Sequence, residues 1–482
     1  MRKSRTRSLC TISAEERPWK NDIVTFDSKD DPQNPKNWSY RRKAFVTMLF
    51  GLTTMCSTFA SSVFSPAFRF IAKEYNVSTE VVTLGLSLFV IGFVPGPIVF
   101  APFSEMYGRR ISVLLPMFTF ICFSAATATA ANLQTVMITR FFAGVMASSP
   151  VTTVGGGLAD MYEQRERGTA VVFYSLAVVA GPTLGPVIGA AVSQSHLGWR
   201  WTEYLTVILT SVVVLADIVF LPETYAPVIL TRKARKLRLK TGRWALHSRH
   251  ETNDFTLRGF LETNLLRPVK MIFTCLIFSF LSYDMLPLKF CLYITDGILY
   301  LLFGAVPIIY EQNRGWNTLQ GSLPFLAVLL GTFFAAAVNA AYSQLVFAPN
   351  VDKHGGKTQP EKRLPPMMLG SITFPIGFFL LGWTSNPKIF WFPSVLGLFF
   401  IGMSFLLIFQ AGINYLVTDG MKLFVLQASN TFMRSLFAAT LPLIAQPLFN
   451  NLGVDWACTL LGCISVILAW VFDLKFSYAL ND

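Results

Sequence analysis

Stretches of about twenty apolar residues recur along this chain, and few features restrict a fold so sharply. A run of that length can cross the hydrocarbon core of a bilayer as a helix. In lipid, only helices and closed barrels satisfy every backbone donor and acceptor. The runs fall near 44–66, 81–102, 111–131, 134–158, 169–193 and 202–221, and again near 286–310, 319–346, 366–384, 389–417, 423–449 and 454–474. Twelve spans define an all-α polytopic membrane protein. Only 14% of the residues are charged, against about a quarter in soluble proteins.

The net charge of +13 would suit nucleic acid, but its placement argues for a bilayer. With a cytosolic N-terminus, 32 of the 40 Lys and Arg fall on the cytosolic side. Five lie outside (Arg69, Lys73, Arg200, Arg314, Lys388) and three within spans (Arg140, Lys289, Arg434). That asymmetry fixes orientation, excludes a nucleic-acid partner and puts both termini in the cytosol. The seven cysteines, mostly within spans, show no metal or disulfide spacing, so no metal and no cofactor is expected. Residues 1–43 are polar, which argues against a cleavable leader and for a largely disordered cytosolic tail.

A basic cytosolic loop, 222–268, containing "TRKARKLRLK", separates an N-terminal six-helix half (44–221) from a C-terminal half (269–482) that ends in a short cytosolic tail. The halves echo each other. "LGWRW" (197–201) and "LGVDW" (452–456) precede spans 6 and 12 at an offset of 255. "SEMYGRR" (104–110) has a degraded counterpart in "PEKRLPP" (360–366), where Glu105 and Glu361 are 256 apart. Such parallel repeats place a substrate near the midplane between the halves.

Several motifs carry chemistry. At the turn between spans 2 and 3, Gly108 suits a tight turn. Arg109 and Arg110 can pair with Glu105 or cap the end of a neighbouring helix, latching one conformation of a rocking protein; plain inner-face anchoring is the alternative. In "VVAGPTLGPVIGAA" (178–191), Gly181, Gly185 and Gly189 share one helical face while Pro182 and Pro186 should bend it. This reads either as static packing or as a smooth sliding seam between the halves.

Intramembrane ionisable groups are functional candidates by default. Arg140 lies one turn into span 4, where it either serves transport or snorkels outward. Arg434 has Asn430 at i−4, forming either a polar site or a structural hydrogen bond. Asp217 is the clearest acid within a span, although near its cytosolic end. Asp284, Lys289 and Asp296 interrupt the entry to span 7; a kinked or re-entrant segment and an irregular gene model both fit, and the second would impair transport. "NVS" makes Asn76 a glycosylation candidate in the first outer loop, whereas Asn37 lies on the cytosolic side.

Here the chain resembles the major facilitator superfamily, and within it the twelve-span fungal drug:proton antiporters. "GPIVFAPFSEMYGRRISVL" (96–114) is similar to that family's loop 2–3 motif, with Glu105 where many members carry Asp. "TRFFAGVMASSPVTTVGGG" (139–157) resembles the span 4 motif, with Arg140 on its arginine, and "AGPTLGPVIG" (180–189) the span 5 antiporter motif. "DPQNPKNWS" (31–39), "LADMYEQRERG" (158–168) and "LPETYAPVIL" (221–230) extend the likeness over nearly the whole chain. The resemblance implies proton-coupled export, with Arg140 in proton coupling or substrate binding. Span 1 lacks the acid that many relatives have there, so the proton carrier is not identified.

Other classes fit poorly. "HGGKTQP" lacks the upstream glycine of a phosphate loop, because position 351 is Val. No HExxH or GxSxG is present, so an enzyme is not expected. The reading is a monomeric plasma-membrane antiporter whose partners are protons, lipid and a small-molecule substrate: small, largely apolar compounds such as fungicides or secondary metabolites. Export of polyamines or other organic cations is the alternative.

Overall fold

The computed structural model describes residues 19–20, 22–28, 30–251, 286–347, 349–350, 364–417 and 423–481. Twelve spans are present among them. The first six are Tyr40–Ser62, Thr79–Gly92 continued by Gly96–Tyr107, Arg109–Ala128, Leu133–Met161, Gln164–Gln194 and Arg200–Phe220. Leu286–Pro307, Phe325–Tyr342, Pro365–Trp383, Phe392–Val417, Leu423–Leu452 and Val454–Asn481 form spans 7 to 12. Ten are long and apolar enough to be recognised by hydropathy alone. Span 4, with its arginine and its serines and glycines, is too polar for that test but equally long.

Local chemistry sets the boundaries. Ser78, Asn132 and Asn317 cap the helices that follow them by accepting from the backbone N–H of Val81, Thr135 and Gln320. The internal repeat has a conformational signature. Gly198 and Gly453, the glycines of "LGWRW" and "LGVDW", both sit at φ +77°, and neither would meet an atom within 4 Å if given a Cβ. Both glycines are required by backbone conformation and not by space. Glycines also set how closely spans approach. A Cβ at Gly92 would lie 2.6 Å from the Phe141 carbonyl oxygen of span 4, and one at Gly331 2.8 Å from the Met403 nitrogen of span 10.

Three expectations are corrected. Span 5 runs as one uninterrupted helix through Pro182 and Pro186, and its glycine face does not lie between the halves. Gly181, Gly185 and Gly189 press on the span 1 backbone around Met55, Val63 and Val63 again, inside the N-terminal half. Span 7 is helical from Leu286, with Asp296 buried within the protein, so the charge is not a break in the helix. The stretch before it, with Asp284, lies outside the described residues, as do the "GKT" of 356–358, most of "PEKRLPP" and residues 252–268 of the central loop.

The third correction concerns the tail. Residues 22–28 and 30–39 have defined structure, and Val24, Asp27 and Asp31 pack or pair against the helix Ala226–Thr241. Asp31 accepts from the Asp27 and Gln33 backbone and from Lys233. Lys233 also pairs with Asp27 at 2.6 Å and Arg243 with Asp22 at 2.7 Å. Val24, Ala234 and Leu246 form a small apolar core beneath them.

Candidate functional site: a cavity between the halves and its polar flanks

The two halves meet along spans 2 and 11 and spans 5 and 8, with a smaller contact between span 7 and the turn Ser65–Ala67 after span 1. At the end of the bundle away from the Gly108 turn they are bridged by Arg69–Glu311 at 3.0 Å, by Gln446 donating to Thr79 at 3.1 Å, and by the Leu319 backbone N–H donating to Gln194 at 3.3 Å. Midway, the Ser61 and Tyr300 hydroxyls lie 3.0 Å apart. That end is therefore closed.

Between the halves lies a cavity of about 30 Å³, walled by Phe93, Val178, Leu299, Phe405 and Phe409 and touched by Pro182. That is room for roughly one water molecule, so the cavity is nearly collapsed. Its polar groups are Thr58, Asp296, Tyr300, Arg434 and Ser435. Asp296 and Arg434 form an ion pair at 3.5 Å, and the guanidinium sits over the Phe409 ring at 5.0 Å. No hydrogen bond is made by Arg434 Nε. The pair links spans 7 and 11 and is loose. Asn430 is on span 11, but its side chain lies outside the described residues.

Of the two expectations for Arg140, the structure excludes outward snorkelling. The side chain is 1% exposed, as is that of Glu203 of span 6, and the two pair at 2.9 Å. Arg140 also donates to the carbonyls of Ala60 and Gly85 and lies between the Phe64 and Phe89 rings. Asp217 is fully buried and accepts from Thr53 of span 1 at 2.5 Å. Neither group lines the central cavity.

The cytosolic motif folds into a network. Gly108 adopts φ +94°, and a Cβ there would strike the Glu223 carboxylate, so the turn needs glycine for both conformation and space. Glu223 accepts from the backbone N–H of Arg109 at 2.8 Å and of Arg110 at 3.4 Å. The Arg109 side chain donates to Asp160 at 3.0 Å and to Ser104 at 2.6 Å, and stacks over Tyr225. Arg110 donates to the Ile218 carbonyl at the end of span 6, the helix-capping role expected of it. Burial pushes the Tyr225 hydroxyl above its usual range. The expected partner Glu105 is exposed, and Arg109 pairs with Asp160 instead. Ser104, Asp160 and Ile218 belong to the N-terminal half, and Glu223 and Tyr225 to the central loop directly after it; residues 418–422, at the start of span 11, lie outside the described set. Asn76, in a left-handed conformation at φ 52°, is exposed on the outer side.

The structure thus adds Glu203, Asp296, Asp160, Glu223 and the Arg69–Glu311 bridge to the residues singled out from sequence. Glu203 had a signal: it lies one turn from the outer end of its span, at the same depth as Arg140. Asp296 was visible as a charge in an apolar run but read as an interruption.

Comparison with known proteins agrees with this geometry. The family profile described as Major Facilitator Superfamily matches residues 50–442. Efflux pump bik6 of Gibberella fujikuroi is 40% identical over 462 residues, covering 95% of this chain and 93% of its own. The citrinin biosynthesis cluster MFS transporter mrr1 of Monascus ruber is 40% identical over 92% of this chain and 88% of its own. The multidrug transporter FLU1 of Candida albicans is 38% identical, covering 92% and 72%. Among solved structures, a partially occluded inward-open form of the xylose transporter XylE from E. coli superposes with a TM-score of 0.60 at 18% identity, over 90% of this chain and 99% of that one.

Proposed function

The chain belongs to the major facilitator superfamily, and from that premise we propose that it is a proton-coupled exporter of small, largely apolar compounds working by alternating access. It is a secondary transporter and not an enzyme, as its relatives' names and family indicate. The observation that carries the mechanistic reading is the loose Asp296–Arg434 pair in the cavity between the halves. Protonation of Asp296 cancels its charge, frees Arg434 and lets spans 7 and 11 shift relative to each other. Charge return restores the pair and recloses the cavity.

The walls of the cavity are aliphatic and aromatic, which favours apolar cargo. Export of organic cations gains nothing from this site, because the one carboxylate among its described lining residues is already matched by a guanidinium. A closed outer side with a collapsed centre fits a cycle that loads from the cytosol and releases outward. The network of Gly108, Arg109, Arg110, Asp160 and Glu223 would hold the inner ends of spans 2, 3, 4 and 6 as one rigid block, with Glu105 at its rim. Plasma-membrane residence, cytosolic termini, a monomeric state and glycosylation at Asn76 complete the reading; relatives named as efflux pumps and as secondary-metabolite cluster transporters support its direction.

Inside-out vesicles carrying the protein should accumulate a fluorescent apolar drug when acid-loaded, and stop when an uncoupler is added. Accumulation that persists without the proton gradient, across a compound panel, would refute the coupling. Loss of drug tolerance in a host lacking the gene would give the substrate class.

A further inference from the structure

Spans 1 and 5 are pressed together by the glycine stripe in their outer part. Their last close approach toward the cytosol is at Gly51, where a Cβ would lie 3.3 Å from Ala177. Below it the two helices leave a groove of about 380 Å³. The groove runs from Leu52 and Ala177 at its deep end to Tyr40 and Glu166 at its mouth. Twelve helical residues along span 1 cover roughly 18 Å at 1.5 Å per residue. One leaflet of a hydrocarbon core about 30 Å thick is roughly 15 Å deep. The groove therefore matches the depth of the cytosolic leaflet.

Its walls include Ala44, Met48, Leu52 and Phe173, and Met48 and Phe173 are exposed at the bilayer surface. Most of this wall is apolar, with the Thr47 and Thr169 hydroxyls in it, and an elongated apolar groove of this kind suits an acyl chain. The mouth is polar. The Tyr162 and Thr47 hydroxyls are 3.1 Å apart there. Glu166 is the one charged residue lining the groove among those described, with its side chain 51% exposed. Behind it, Lys43 is buried and stands 3.8 Å away, too far for a tight pair.

We propose that this groove between spans 1 and 5 is a binding site for a phospholipid with an ammonium headgroup, its chain along Met48 and Phe173 and its ammonium on Glu166. A primary ammonium donates hydrogen bonds to the carboxylate and the neighbouring hydroxyls, which a trimethylammonium cannot do. The site thus selects phosphatidylethanolamine over phosphatidylcholine, and the exposed carboxylate disfavours phosphatidylglycerol.

The test is native mass spectrometry of the purified full-length chain with each of these three lipids. The wild type should retain phosphatidylethanolamine about tenfold better than the other two, the size of one charge-assisted hydrogen bond. Glu166→Gln should bring it level with phosphatidylcholine. Lys43→Gln, which removes the ion pair but keeps the carboxylate, should preserve the preference. Ala44→Phe, at a lipid-exposed position, should fill the groove and lose both lipids while the lipid-free unfolding temperature holds; Thr169→Phe serves if that variant fails to fold. Equal retention by wild type and the filled variant overturns the site. A preference unchanged by Glu166→Gln overturns the headgroup assignment. Displacement of the lipid by a cationic amphiphilic drug at equimolar concentration overturns the lipid as occupant in favour of a cargo-entry groove.

Discussion

Two arginine–carboxylate pairs, one within the spans of each half, are built for different work. In the N-terminal half, Arg140 and Glu203 are each 1% exposed, 2.9 Å apart, and the guanidinium is further held by two carbonyls and two aromatic faces. In the C-terminal half, Arg434 and Asp296 are 3.5 Å apart, 11% and 13% exposed, with one aromatic face and a cavity beside them. The first pair has its desolvation offset by more partners, although Arg140 Nη2 makes no hydrogen bond, so it is the more firmly held. The second has few, so little is lost when it opens. A pair placed where it can open is the one suited to carrying a proton.

The same contrast appears in packing. Spans 1 and 5 in the N-terminal half correspond by order to spans 7 and 11 in the C-terminal half. On span 5, Gly185 faces backbone: an added Cβ would lie 2.8 Å from the Val63 nitrogen. On span 7, Gly304 faces the Ala445 Cβ at 2.8 Å, and Gly297 faces Leu441 Cδ1 at 2.5 Å with the Phe437 carbonyl oxygen behind it at 3.1 Å. A leucine side chain gives way more readily than backbone. Span 5 therefore has the closer backbone partner, and the seam that holds the ion pair has the more slack.

The largest effect should come from breaking the fixed pair. Glu203→Gln leaves Arg140 charged in a dry site, a loss of about 3–5 kcal/mol, and the variant should be recovered poorly as folded protein in detergent. If its unfolding temperature stays at the wild-type value, the rigid character assigned to the N-terminal half is wrong. Asp296→Asn should do the reverse: fold normally, and cut proton-driven export about a hundredfold, equivalent to roughly 2.7 kcal/mol. Drug exchange without a gradient should survive in it. A variant that loses folding and transport together would erase the distinction between the two pairs.

A smaller effect sharpens the packing contrast. Gly185→Ala should destabilise by about 1–3 kcal/mol, with Gly304→Ala costing about 1 kcal/mol less because its neighbour is a side chain. Thermal unfolding of the two purified variants measures this directly; equal costs would show that the slack is not in the seam.

Much of this was legible in the sequence, for physical reasons. Twelve apolar runs, the inward bias of Lys and Arg, and the paired "LGWRW" and "LGVDW" turns are local signals, and their glycines share one φ. The pairs themselves were not. Arg140 and Glu203 are 63 residues apart, and no spacing rule links two charges on different helices. Asp296 read as damage because a lone acid in an apolar run is costly until its partner, 138 residues later, is known to face it. The glycine stripe was correctly placed on one helical face, but periodicity does not say which neighbour that face meets. The loop 2–3 motif placed its two arginines well. Its acid partner came from Glu223 and Asp160, within stretches already noted for their resemblance, and not from Glu105.

The cytosolic face extends the asymmetry, since the N-terminal tail docks on the helix that follows span 6. Asp31 anchors it. Burial works against its charge, yet the Asp27 and Gln33 backbone donors and Lys233 outweigh that and hold the carboxyl below its ordinary value. A depressed carboxyl contributes stability above its unfolded pKa, near 4, and loses it as pH falls through the lower folded value. Below about pH 4 the tail should therefore come away while the spans persist. Asp31→Asn, which keeps the shape but not the charge, should weaken docking by about 1–2 kcal/mol at neutral pH and have little effect in acid, where the wild type is already released. Hydrogen exchange across residues 22–39 reads both conditions. Because the described tail packs on the helix after span 6 and on span 4, its release should leave the unfolding temperature of the Glu203-bearing bundle and the transport rate unchanged; a rate that moved with the tail would make the docked segment part of the moving machinery.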